Sequence, residues 1–183
     1  MADDRDLIAR AARAVTDRAL DAARALTRNG EGIDEHQVVV ERVSYAATEA
    51  RVIEELARVP AGLAELARVA AAELAAQIPH RLAPVASALG LGALAYDSDA
   101  AAAIASGIAP RSVEAVGAAA IAAGGVFAWP LDEILTEVRA NVRAFAEREV
   151  MPHAERIHHH DELVPERFIS EMGKLGYLSL IHI

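Results

Sequence analysis

Apolar residues recur along most of this chain at steps of three and four, the period of helices packed on one side. Leu7, Ala11, Val15, Ala19, Ala22 and Leu26 form one such stripe, with Asp and Arg on the opposite face. Asn29-Gly30 supplies its stop, since both residues tolerate left-handed backbone. Asp34 is placed to cap a second helix, whose stripe takes in Val38, Val39, Val43, Ala46, Ala50, Ile53 and Ala57 and which Pro60 ends. Leu63, Leu66, Ala70, Leu74 and Ile78 predict a third helix that runs up to Pro79. Pro84 and Gly90-Leu91-Gly92 make the next piece short or kinked. Asp97 or Ser98 caps a brief Ala-rich helix ending near Gly107, and Pro110 opens another that loosens at Gly124-Gly125.

Val126 to Pro130 reads as a linker, with Trp129 anchoring it against a neighbouring surface. Composition changes there. Upstream the chain is Ala-rich and sparsely charged; downstream it is dense in Glu, Arg and larger apolar residues, which places a boundary at about residue 130. Leu131, Ile134, Leu135, Val138, Val142, Phe145 and Val150 then make the strongest amphipathic stripe in the chain. Pro165 opens a last helix with Phe168, Ile169, Met172 and Leu175 inward, stopped by Gly176. With no strand or hairpin signal and no convincing repeat, the fold class is all-α: a helical bundle over 1–130, followed by further helices.

Apolar residues make up 54% of the 183, enough for a real core, but alanine inflates that figure and aromatics are only 4%. The helices should therefore meet through small side chains, each contact burying modest area. A net charge of −9, with no block of Lys or Arg, disfavours nucleic acid and acidic membranes as partners. Without cysteine there are no disulfides, thiolate metal sites or iron–sulfur clusters, which fits a reducing cytoplasm. The acidic start Met1-Ala2-Asp3-Asp4 lacks the features of a signal peptide. Leu82 to Tyr96 is too short to span a membrane, and Ala115 to Leu131 is too rich in Ala and Gly. The expectation is a soluble, cytoplasmic protein.

Candidate chemistry is sparse. Gly90-Leu91-Gly92-Ala93-Leu94-Ala95 matches G-x-G-x-x-A, but that motif cradles a pyrophosphate only between a strand and a helix. A helical pattern precedes it here, so a helix-ending turn is the better reading. His158-His159-His160, with His153 upstream and Asp161-Glu162 after, has the right donors for zinc. Adjacent side chains diverge, however, and only Glu155 and His159 share a helical face, so a solvated helix end accounts for the cluster. The paired carboxylates Glu54-Glu55 and Asp132-Glu133 lie on polar faces, and no G-x-S-x-G elbow is present. No catalytic, cofactor-binding or metal-ligating residue is assigned.

Two segments carry a resemblance. Val142 to Glu155, VRAFAEREVMPHAE, is similar to the opening helix of acyl-CoA dehydrogenases. Asp161 to Leu178, DELVPERFISEMGKLGYL, looks like the next stretch of that family: an acidic turn, Pro at the helix start, and a helix ending in Leu-Gly and an aromatic. The long helical region before them resembles the N-terminal extension of methylsuccinyl-CoA dehydrogenase-type members. The resemblance divides the chain into an Ala-rich helical extension (1–130), the start of an acyl-CoA dehydrogenase N-terminal helical domain (131–178), and a tail (179–183). That tail, Ser179 to Ile183, departs from the family pattern and resembles translated adapter sequence, so it is expected to be non-native.

The family implies an enzyme in which FAD sits between a middle β domain and a C-terminal helical bundle. A glutamate removes the α-proton of an acyl-CoA thioester while the β-hydrogen leaves as hydride to the flavin. Electrons pass to an electron-transfer flavoprotein, and the subunits form a homo-oligomer. None of those groups falls on this sequence, so the chain is expected to be an inactive N-terminal fragment. The rival is a non-catalytic helical interaction module. A module should bury the apolar faces of 131–150 and 168–175 within the chain; an enzyme fragment should leave one or both open.

Overall fold

A computed structural model of the chain describes residues 3–125 and 131–177. The linker residues Val126 to Pro130, with the anchoring expected of Trp129, and the tail from Leu178 to Ile183 lie outside the described residues. Every regular element among the described residues is helical. The chain divides into two compact units, residues 1–128 and 129–183.

The first unit is built on three long helices, α1 (Asp4–Leu26), α2 (Gln37–Ala57) and α3 (Ala64–Leu82). Each packs on the other two; α4 (Ser98–Gly107) lies on α1 and α3, and α5 (Pro110–Ala122) on α3 and α4. Ile8 of α1, Ile53 of α2, and Ile78 and Leu82 of α3 are the largest fully buried apolar side chains. Between them lie fully buried alanines, among them Ala12, Ala19, Ala46, Ala50, Ala71, Ala72 and Ala75. Small side chains let these backbones approach closely, and packing at that density is what an Ala-rich core requires.

Several boundaries and registers differ from those the sequence predicts. On α1 the buried line is Ile8, Ala12, Val15, Ala19 and Ala23, whereas Leu7, Ala11, Ala22 and Leu26 flank it half-buried. Thr16 joins the buried line because its hydroxyl donates to the Ala12 carbonyl at 3.0 Å. The stop uses Asn29-Gly30 as expected, both in left-handed backbone (φ 59° and 107°), but the turn starts one residue earlier. Arg28 takes the left-handed turn (φ 51°), its N–H bonds Ala25 O, and that of Asn29 bonds Arg24 O at 2.8 Å. Asp34 does not cap α2. It sits in a 3-10 turn, Ile33–His36, and accepts from the Gln37 side chain, so α2 begins at Gln37 with no side-chain cap.

The third helix does not end at Pro79; it continues to Leu82 with the proline inside it. Pro79 has no N–H to give to the carbonyl four residues back, that of Ala75. The Tyr96 hydroxyl donates to that same oxygen at 2.7 Å and takes the missing donor's place. At the start of α4, Asp97 caps as expected, accepting from Asp99 N and Ala100 N. Gly107 serves close packing more than termination, because a Cβ there would stand 2.3 Å from the Ala72 Cβ.

The second unit contains α6 (Glu133–Phe145), a π-turn (Ala146–Val150), α7 (Met151–His159) and α8 (Glu166–Lys174). The π-turn closes with the Met151 N–H on Ala146 O. Pro152 comes next, in the first turn of α7, and can donate no bond backward. The extra residue rotates the face of α7 away from that of α6, so the stripe expected to run unbroken to Val150 is interrupted.

Candidate functional site

The feature that distinguishes the second unit is its unburied apolar surface. Asp132, expected only to decorate a polar face, starts α6 by accepting from Leu135 N at 2.7 Å. Once the helix runs from there, Leu131, Leu135, Val138, Val142 and Phe145 take alternating steps of four and three, the spacing that fits a helix to a neighbouring helix. Of that seam only Phe145 is buried, edge-on to Tyr177 with ring centroids 6.1 Å apart. Leu135, Val138 and Val142 are exposed, and Ile134 beside them is 73% exposed. An open groove of about 450 Å³ runs along the same face between Val138, Phe145 and Leu175.

On α8 the structure corrects the inward set. Phe168 is buried and Met172 half-buried, but Ile169 and Leu175 face solvent. The helix ends as expected at Gly176 (φ 77°), with the Tyr177 N–H on Met172 O. Leu163 and Val164, in the connection from α7, are exposed as well. Val138, Phe145 and Leu175 share one open groove, and exposed apolar surface of this kind is typical of interaction faces.

The histidine cluster does not converge. His160 Nδ1 lies 2.9 Å from Arg156 O, His159 is 3.9 Å from Glu155, and the cluster stands at the solvated end of α7. His153 lies apart, 2.6 Å from an Arg167 nitrogen. Among the described residues no group of three or more His, Asp or Glu is arranged to hold a metal. Glu54 and Glu55 are tied into arginine pairs, Glu54 to Arg51 at 2.9 Å and Glu55 to Arg58 at 2.7 Å, and do not face each other across a cleft.

Gly90 (φ 61°) closes a helix-ending turn, with Gly90 N on Ser87 O and Leu91 N on Ala86 O. Leu91 to Asp97 then run without regular structure, so the loop has neither the strand before it nor the helix after it that a pyrophosphate cradle needs. The Gly90 loop is therefore a helix-ending turn and not a dinucleotide cradle.

Two polar clusters have no counterpart in the sequence pattern. Arg81 of α3 pairs with Glu49 of α2, bonding it through Nε at 2.9 Å and also through Nη2, and lies over the Tyr45 ring at 5.1 Å. Burial, and the Glu49 charge after it, raise the Tyr96 hydroxyl well above the ordinary tyrosine range. Both depend on residues far apart in the chain, and no local pattern announces them.

In comparisons with known proteins, residues 132–182 match the family model described as acyl-CoA dehydrogenase, N-terminal domain. The matched stretch holds all of α6, α7 and α8 and extends over Ser179 to His182. No curated protein and no solved structure matches the chain.

Proposed function

We propose that the second unit is the opening of the N-terminal helical domain of an FAD-dependent acyl-CoA dehydrogenase, and that the chain belongs to the front of such an enzyme. The family match over 132–182 carries this reading. The open face of α6 supports it, because the opening helices of a larger domain leave their inner side chains to be covered by later elements. The intact enzyme would remove a proton and a hydride from adjacent carbons of an acyl-CoA thioester, the hydride going to flavin. It would work as a homo-oligomer and pass electrons to an electron-transfer flavoprotein. In this reading the helical bundle of the first unit is an extension specific to a subgroup. Methylsuccinyl-CoA as the substrate is the narrower version, supported by the length and Ala-rich composition of that extension.

Sequencing the source gene beyond the codon for Tyr177 tests the reading. The expected result is an open frame encoding a β domain and a second helical bundle. The protein purified from that frame should carry flavin absorbance that bleaches when an acyl-CoA is added. A stop codon directly after Ile183 would sink the enzyme reading and leave a helical interaction module.

A further inference from the structure

α8 meets α7 where Phe168 and Arg167 gather around one imidazole. The buried side chain of α8 is Phe168, whose ring lies 5.9 Å from that of His153 on α7, tilted by 36°. The Arg167 guanidinium covers the same ring at 5.1 Å, and its Nη2 sits 2.6 Å from His153 Nε2. A guanidinium has donors and no acceptor. Nε2 must therefore accept, which makes the imidazole neutral with its proton on Nδ1.

We propose that His153 is a pH-sensitive latch: neutral, it clamps Arg167 and Phe168 and holds α8 against α7; doubly protonated, it releases them. A second proton would occupy the nitrogen that accepts from Arg167, turn the bond into two opposed N–H groups, and set a cation beside a cation. The charged groups facing His153 are Arg167 from α8 and, from the π-turn, Glu149 with its partner Arg148. Glu149 attracts both cations and partly offsets the new charge, while Arg148, bonded to its carboxylate at 2.8 Å, takes a share of that attraction and holds the carboxyl below the usual carboxylate range. Protonation then sets His153 against Arg167 at their 2.6 Å contact beside the Phe168 ring, a repulsion that Glu149 offsets only in part.

Hydrogen exchange on the whole chain tests this, following peptides from 166–174 between about pH 8 and pH 5, where imidazoles change charge. After correction for the intrinsic pH dependence of exchange, protection of α8 should fall about fivefold on acidification, the loss of one net hydrogen bond. In His153→Gln, whose amide oxygen accepts from Arg167 at every pH, protection should stay level. Arg167→Leu should flatten the response too, since protonated His153 then meets no like charge. His158, His159 and His160 remain in both variants and so cancel from the comparison. A fall of wild-type size in His153→Gln, or no fall in the wild type, overturns the proposal.

Discussion

The helices of the first unit bury their apolar stripes against one another, whereas those of the second leave most of theirs in solvent. In the first unit, side chains from α1, α2, α3 and α4 join one cluster that holds nearly all the buried apolar residues. In the second, Phe145 and Phe168 are the buried residues among the 47 described. Yet the sequence pattern is stronger in the second unit, where charged and apolar residues alternate cleanly, than in α3, which is apolar on nearly every side. Amphipathic contrast measures how sharply a helix separates its faces, not whether anything covers the apolar one. On the proposed reading that stripe is half of an interface.

The sharpest way to break that comparison is to make the same truncation in both units. Ile53→Ala empties a fully buried site and should destabilise the first unit by about 3 kcal/mol in urea unfolding. Ile134→Ala removes a side chain that is already mostly in water and should change stability by no more than about 0.5 kcal/mol. If the two costs come out equal, α6 is covered and the interface reading of the second unit fails. The next effect is steric. Gly107→Ala sets a new methyl 2.3 Å from the Ala72 Cβ at the α3–α4 contact, and the shift needed should cost about 2 kcal/mol, read as a lower melting temperature.

A smaller effect tests the proline inside α3. Tyr96→Phe leaves the Ala75 carbonyl without its donor and should cost about 1 kcal/mol. The same residue gives a pH signature. Its folded hydroxyl titrates above the unfolded value of 10.0, so the folded state holds the proton longer. The stabilisation is then fully present below pH 10.0 and is lost as pH rises beyond it. Urea midpoints taken on either side of that value should fall in the wild type and fall less in Tyr96→Phe.

Legibility in the sequence depends on the range of each interaction. Caps and stops that act within a few residues were legible: Asp97, Pro110, Gly124 and Gly176 all end or begin helices where expected. The register of α1 was not, because with alanine on every face two stripes are nearly degenerate. Val15 and Ala19 belong to both, and the choice of Ile8 over Leu7 for the core is made only once α2 and α3 are present. Asp34 has the chemistry of a cap, but the turn after Arg28 carries it into a 3-10 segment. Pro79 has the chemistry of a terminator, and its defect is repaired by Tyr96, from well beyond the end of the helix. For the candidate site, the apolar seam of α6 was visible and its exposure was not, since exposure depends on what the seam lacks. The rotation at the π-turn and the His153–Arg167 contact had no local signal.

A last pair of substitutions separates the units by how a local change spreads. Asp132 caps α6 and Asp97 caps α4, both through bonds from free backbone N–H groups to a side-chain oxygen. Replacing either by Ala removes about 1 kcal/mol of helix stability. In the first unit α4 is packed on α1 and α3, so Asp97→Ala should lower the unfolding midpoint of the unit as a whole and leave exchange within 98–107 tied to it. On α6, with its seam open, the loss should stay local. Asp132→Ala should speed exchange across 133–145 about fivefold, with α8 and the first unit unmoved. A cooperative loss of α6 and α8 together would mean that the second unit has a core that its exposed seam conceals, and the contrast between the units would dissolve.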